Sequence, residues 1–581
     1  MHGAFALALG LAACTSDGGG DASDWPLLQD AVNAFFEAWT VGDHAAMADM
    51  LDDGSAVRWD ETDLDRLMRR QTRAGAITSF EASAGEVDQP DDAAFAAATD
   101  EEDPEDLSLS VPYRVAYGSD ASESTAELSG DLEFLYDAEG SEWRAAFDDD
   151  ALWPGVEGAD GFKITTRWPK RGAILDRSGK RLAVGPVGDR RYPFGSIGGS
   201  TVGHIETVTK PTLEEHSGAE IGDLVGGSGL EEGLDDRLAG EPEAQLVVVD
   251  AAGQNLDVIG GRDAVAGENV KVTLDIDVQR ATEGVFGDTV GGAAVIDPTT
   301  GDILAAVASG PFDPNGFVGA TEVNPFNRAL VGLYPPGSSM KVMTASAALE
   351  EGAVTPSTML TGPMEYKGVR NFESGEFGSI SFAAATQNSV NTAFAQVAEK
   401  LGARRLTRYA ELFGFNRVPE MPLEAAEPSF PFPEGLGDVM WASIGQAQVL
   451  ATPLQMATVA GTVANNGKRM EPRIVRSDPK AGDRVVSTKT ARQMTALMRS
   501  VVVGGTGTAA NITGLDVAGK TGTAEVDVDG ERLNHAWFIA FAPAGNPEVA
   551  LAVVSEYGGI GGRVAAPIAG RMLQAVAPLI R

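Results

Sequence analysis

No single hydrophobic core can hold this chain. Its 581 residues exceed the roughly 250–300 at which one core stops growing and polypeptides divide, and length alone implies about three or four domains. With 43% apolar and 22% charged residues, the composition is that of a globular protein. Beyond residue 14 no apolar run reaches the ~18 residues needed to cross a membrane.

The formal charge of −40 is unevenly spread: residues 21–160 hold 36 Asp+Glu against 7 Arg and no Lys, a balance of −29. Such a surface repels phosphate backbones and argues against nucleic-acid partners. In plainer terms it is a solvated, solubilising face. The five histidines, at positions 2, 44, 204, 216 and 535, are scattered with no pair at ligand spacing, so no metal site and no cofactor are expected.

The start, MHGAFALALGLAACTSDGGG, is an apolar run of signal-peptide length followed by a Ser/Gly/Asp-rich tether. Leu11-Ala12-Ala13-Cys14 resembles the lipobox of bacterial lipoproteins, in which the cysteine is lipidated, although no Lys or Arg precedes the run. Cys14 is the only cysteine, which excludes an internal disulfide. Residues 1–24 are thus expected to be a signal and tether that place the body outside the cytoplasm.

From residue 25 to about 155, AVNAFFEAWTVGDHAAMADML has helical spacing, and SLSVPYRVAYG and DLEFLYDAEGSEWRAAF alternate like strands. A small α+β domain without catalytic-looking clusters is expected there. Residues 160–285 read as short, glycine-punctuated elements closing with a strand-like NVKVTLDIDVQRA. From 290 to 581 the pattern becomes strand, long helical region, strand. GGAAVIDPTTGDILAAVAS reads as a hairpin, helices are expected near 338–350, 382–401, 405–413 and 452–466, and a hairpin and helix end the chain. An antiparallel sheet flanked by helices, in a multidomain α+β protein, accounts for this order.

Three short stretches in the last segment carry chemistry. In YPPGSSMK a helix is expected from Ser338, with Lys341 on the same face one turn on. A helix N-terminus favours developing negative charge, and a lysine kept neutral by burial can take a serine's proton. Read alone, Ser338 is as well explained as a helix cap, since Ser-x-x-Lys arises about twice by chance in such a length. Ser389-Val390-Asn391 follows at the edge or within a turn of a helical region and is equally common by chance. Its hydroxyl can relay a proton and its amide can both donate and accept. Lys520-Thr521-Gly522-Thr523, on an edge strand, is rarer, about 0.1 expected. It lacks the earlier glycine and the following helix of a phosphate loop. An ammonium and two hydroxyls suit a carboxylate instead, and Gly522 admits a substrate backbone.

In this order the three elements resemble the Ser-x-x-Lys, Ser-x-Asn, Lys-Thr-Gly signature of the penicillin-recognising serine enzymes. Residues 290–581, with DPTTGDILAAVAS, NPFNRAL and WFIAFAP, look like the transpeptidase domain of penicillin-binding proteins. KRGAILDRSGKRLA, GSGLEEGLDDRLAG and VTLDIDVQRA look like the dimerisation or pedestal domain of the class B, monofunctional members. Residues 25–155 are similar in position and pattern to the cone-shaped, nuclear-transport-factor-like domain of MecA-type proteins.

The resemblance implies a D,D-transpeptidase acting on peptidoglycan stem peptides that end in D-Ala-D-Ala, and acylated by β-lactams. Ser338 would be the nucleophile and Lys341 its base, with backbone N–H groups of Ser338 and Thr523 holding the oxyanion. Ser389 would protonate the leaving amine and Asn391 orient the peptide. Lys520, Thr521 and Thr523 would bind the terminal carboxylate, with Gly522 between them. Ser339 would be a bystander. The same motifs leave open a D,D-carboxypeptidase or serine β-lactamase and, outside enzymes, a β-lactam sensor or inactive cell-wall scaffold. Glycan polymerisation would come from another protein, by analogy a membrane polymerase. The expected location is the extracytoplasmic face of a bacterial membrane, anchored by an N-terminal lipid or signal anchor.

Overall fold

The computed structural model describes residues 26–73, 77–100, 107–214, 219–321, 323 and 325–580. Cys14 and the expected leader and tether lie outside the described residues. The chain forms two compact units, one running to Trp168 and including Pro242–Val265, the other made of Pro169–Glu241 and Ala266–Arg581.

In the first unit, helix α1 (Leu28–Val41) buries Leu28, Val32, Phe35, Phe36 and Trp39, residues spaced to share one face, and ends where Gly42 adopts a left-handed conformation. That face shares a core with a four-stranded antiparallel sheet, in the order β1 (Ser79–Ala84), β2 (Ser108–Ser119), β3 (Ser124–Asp137), β4 (Glu142–Ala146). Strand β2 alternates: Val111, Tyr113, Val115 and Tyr117 point inward and their neighbours face water over most of its length. A second sheet, β5 (Gly161–Arg167), β6 (Glu243–Val249) and β7 (Asn255–Arg262), is ordered β7-β6-β5 and adds Phe162, Leu246 and Val248 to the same core. Two pieces of the segment expected at 160–285 are therefore built into this unit.

The second unit begins with short strands around a buried ion cluster. Glu231 is fully buried, and its carboxylate accepts from Arg171 at 2.8 Å and Arg190 at 2.6 Å. Two cations on one carboxylate, with Arg190 also donating to the Gly172 carbonyl, offset the cost of desolvating them. The strand-like stretch expected at 269–281 is strand only at Val270–Lys271. Asp275 accepts from the backbone N–H groups of Asp277 and Val278, and so starts helix α2 (Ile276–Phe286) in the middle of an alternating pattern.

The core of this unit is a five-stranded antiparallel sheet: β8 (Gly291–Ile296), β9 (Ile303–Ala308), β10 (Ala518–Val528), β11 (Glu531–Ala542) and β12 (Val549–Ser555), ordered β9-β8-β12-β11-β10. Strands β8 and β12 are buried at every position, because alternate residues face different helical layers. Ala293, Val295, Leu551 and Val553 pack with α2 and α7 (Ala565–Val576), and Ala294, Ile296, Ala552 and Val554 with α5 (Pro453–Ala464). The two early strands and three late ones leave the intervening chain free to form helices, including α3 (Lys341–Glu350), α4 (Asn391–Leu412) and α6 (Thr488–Gly504). The helix expected over 382–401 is instead a short one, Phe382–Gln387, and then α4, with a break at residues 388–390. Helix α6 and the short helix Leu436–Ser443 were not expected from the sequence.

Candidate active site

Strand β10 is an edge strand with β11 as its sheet partner, and it carries Lys520, Thr521, Gly522 and Thr523. Gly522 is required by packing: a Cβ there would lie 2.7 Å from the Pro336 carbonyl oxygen and 2.8 Å from Cβ of Trp537. This close approach brings the Pro335-Pro336-Gly337 corner onto the strand. The Trp537 indole N–H donates to the Pro335 carbonyl at 2.9 Å, and the Gly337 N–H to Gly445 at 2.8 Å. Gly337 has φ +52°, and a Cβ on it would meet the Thr523 carbonyl oxygen at 2.6 Å.

After this corner, Gly337–Met340 is a 3₁₀ turn that leads into α3. The helix was expected to start at Ser338 with that serine as its cap. Among the described residues, neither the turn nor α3 has a side-chain cap, because the tighter turn starts the element. Ser338 is half-buried and lines the cleft. Ser339, next to it, is fully buried and donates to the Pro336 carbonyl at 2.6 Å.

Lys341 is fully buried. Its Nζ donates to the Ser389 carbonyl at 2.7 Å, to Ser389 Oγ at 3.2 Å and to Asn391 Oδ1 at 2.5 Å, and lies 5.2 Å from the centre of the Phe394 ring. Ser389 sits in the break before α4, with φ +57°, a left-handed conformation uncommon for serine. Lys520, also fully buried, donates to Ser389 Oγ at 2.9 Å and to the Thr521 carbonyl at 2.9 Å. One hydroxyl thus accepts from both lysines, leaving its own proton free to be given away. Burial, and secondarily the charge of Lys520, hold the Lys341 ammonium well below its ordinary 10.5. Burial pushes Lys520 down to about 7.

The Asn391 amide N–H donates to the Arg370 carbonyl at 2.8 Å, tying the start of α4 to the short strand Val369–Arg370. Thr521 Oγ1 shares a hydrogen bond of 2.6 Å with Thr506 Oγ1, and Thr523 Oγ1 accepts from the Gly561 N–H at 3.2 Å. Ser338, Ser389, Asn391, Thr521 and Thr523 line one cleft of about 940 Å³. Lys341 and Lys520 lie buried behind them, and Gly522 forms the packed wall. Among the described residues no group of three His, Cys, Asp or Glu side chains stands together as a metal site.

A network behind the corner was not read from the sequence. Tyr334 OH donates to Glu556 at 2.6 Å, Arg328 donates to the same oxygen at 2.8 Å, and the Tyr334 ring lies edge-on to Trp537. The tyrosine immediately before Pro-Pro was the available signal.

Residues 291–574 match the penicillin binding protein transpeptidase domain, and residues 184–272 the penicillin-binding protein dimerisation domain. Over 390 residues, 59% of this chain and 78% of the relative, the sequence is 35% identical to the peptidoglycan D,D-transpeptidase PbpA of Mycolicibacterium smegmatis. The chain belongs to the class B penicillin-binding proteins. It is also 29% identical to the peptidoglycan D,D-transpeptidase MrdA of Acinetobacter baumannii over 438 residues, 65% of this chain and 64% of that relative. This chain thus spans a little under two thirds of MrdA. Among solved structures, the ceftriaxone acyl-enzyme of penicillin-binding protein A from Mycobacterium tuberculosis superposes with a TM-score of 0.58 at 28% identity, covering 70% of this chain and 98% of that one. The D,D-transpeptidase domain of a peptidoglycan glycosyltransferase from Eggerthella lenta gives 0.59 at 29% identity, covering 71% and 99%. Among the described residues no helix is long and apolar enough to cross a membrane.

Proposed function

We propose that this class B penicillin-binding protein cross-links peptidoglycan stem peptides through an acyl-enzyme on Ser338. The observation that carries the reading is the Ser389 hydroxyl held between two desolvated lysines at the cleft that Ser338 lines. Lys341, one turn beyond Ser338, has an ammonium that burial destabilises; once it has shed a proton it takes that of Ser338 as Oγ attacks the carbonyl of the penultimate D-alanine. The backbone N–H groups of Ser338 and Thr523 receive the oxyanion. As the C–N bond breaks, Ser389 gives its proton to the departing D-alanine and recovers one from the lysine pair. Thr521, Thr523 and the Lys520 charge hold the terminal carboxylate, and Gly522 allows the close approach of backbone. Asn391 orients the peptide amide. The amine of a second stem peptide then takes the acyl group and frees Ser338.

The same serine takes β-lactams, whose ring carbonyl stands in for the D-Ala-D-Ala bond. Glycan strands come from a separate polymerase in the membrane, and an N-terminal lipid on Cys14 or a signal anchor holds the enzyme at the outer face of that membrane. Treating the purified full chain with a fluorescent penicillin tests the reading. A stable mass increase is expected on Ser338 and none in Ser338→Ala. An adduct on Ser339, or one that survives Ser338→Ala, overturns it. An adduct cleared within seconds indicates a β-lactamase, and D-alanine release to water with no cross-linked product a carboxypeptidase.

A further inference from the structure

Strand β10 continues beyond the motif, and its pleat repeats every two residues, so Thr521, Thr523 and Glu525 share a face. All three line the cleft, as does Arg532 on β11. In the β10–β11 register Glu525 pairs with Asn534 and Asp527 with Arg532, so Glu525 and Arg532 are diagonal neighbours. Arg532 Nη1 lies 3.5 Å from Glu525 Oε2, with side chains 70% and 53% exposed. An ion pair this open contributes little to stability. It does present one carboxylate and one guanidinium side by side to whatever occupies the cleft.

The distance along the strand identifies that occupant, given the mode of binding argued above, on which this inference rests. A peptide whose terminal carboxylate is held at Thr521 and Thr523 has its scissile carbonyl about one residue back from that end. The residue preceding the two D-alanines is about two residues back. Two residues of extended chain span about 7 Å, which is also the spacing from Thr523 to Glu525. We propose that Glu525 and Arg532 form the subsite for the side chain of the residue preceding D-Ala-D-Ala, and that the side chain they select ends in both an ammonium and a carboxylate. Glu525 accepts from the ammonium, and Arg532 binds the carboxylate through its planar fork. The pair opens from its mutual contact to take the two charges in opposite sense. A side chain ending in an ammonium alone satisfies Glu525 and leaves Arg532 unused.

Three soluble peptides ending in D-Ala-D-Ala separate these cases, with the preceding side chain ending in an aminocarboxylate, an ammonium or a neutral acetamide. Release of D-alanine gives kcat/KM for each, and discrimination is the ratio of each charged donor to the neutral one. In the full chain, Glu525→Gln and Arg532→Gln are each expected to lower the ratio for the aminocarboxylate donor about tenfold. Arg532→Lys retains more of it than Arg532→Gln. For the ammonium donor, only Glu525→Gln lowers the ratio. Unchanged ratios for the aminocarboxylate donor, or an equal loss for both charged donors in Arg532→Gln, overturn the subsite. Fluorescent penicillin is the control on the parent reading: a wild-type chain that it fails to acylate at Ser338 overturns that reading, and this subsite with it.

Discussion

The two units bury polar groups in opposite ways. The first unit fills its core with rings: Phe35 meets Phe134 edge-on at 5.9 Å and Trp39 meets Phe147 at 5.3 Å. The hydroxyls of its buried Tyr113 and Tyr117 donate to backbone carbonyls of Ala151 and Leu152. The second unit lines its sheet with Ala, Gly and Val, and encloses two lysine ammonium groups at the site. Neutral buried groups cost about as much as their hydrogen bonds return, whereas buried cations carry a desolvation penalty that neutral packing would avoid. Among the described residues, the first core encloses aromatic rings and no lysine. The second gives up stability to hold, behind the cleft that Ser338 lines, two amines that burial makes easier to deprotonate than ordinary lysines.

Removing a buried amine gives the largest expected effect. Lys341→Met retains length and removes the base, and should slow acylation of Ser338 by penicillin about 10³-fold, read as the second-order rate of adduct formation. The wild-type rate should rise with pH as Lys341 sheds its proton. Because burial holds that proton loss well below 10.5, the rise should level off well before pH 10.5. A rise that persists unchanged in Lys341→Met would assign the base to another group. Next in size is a cut in the aromatic core. Trp39 is 2% exposed, and Trp39→Ala should cost the first unit about 3–5 kcal/mol, seen as an early transition in denaturant. Acylation of Ser338 should stay within about twofold of wild type, because Trp39 belongs to a core separate from those around the catalytic sheet. Loss of acylation in step with that early transition would show that the two cores depend on one another.

How much of this could be read in advance depended on the range of the interaction. The hairpin around Asp297-Pro298, the terminal hairpin and its helix, and the edge strand bearing Lys520 were legible because turn residues and alternation are local signals. The three motifs were legible because each sets its chemical groups within a few residues, and the structure brings them to one cleft. Helix α2 was read as strand because V-T-L-D-I-D alternates, and the cap at Asp275 outweighs that alternation. The role of Ser338 as a cap failed because a 3₁₀ turn replaces the first helical turn. The Tyr334–Glu556–Arg328 network joins residues 222 and 228 positions apart, a separation that no local pattern encodes. The same holds for the shared position of Ser389 between Lys341 and Lys520, whose sequence separations are 48 and 131.

The smallest expected effect per measured step tests the claim that charge burial sets the second unit apart. Lys520 has a folded value of about 7 against 10.5 unfolded. Between those two values the unfolded chain holds a proton that the folded chain has released, so stability rises with pH at up to about 1.4 kcal/mol per unit. Below about 7 both states are protonated, and the contribution is constant and most unfavourable. Lys520→Met removes this titration and keeps the volume. The stability of wild type minus that of the variant, from urea midpoints of the second transition, should therefore be flat below pH 6 and climb from pH 7 to 10. Among the described residues of the first unit no lysine is buried, and its transition should show no such difference between the two proteins. A flat difference for the second transition across pH 7 to 10 would mean that Lys520 stays charged in the fold, with its cost met by Ser389 Oγ and the Thr521 carbonyl.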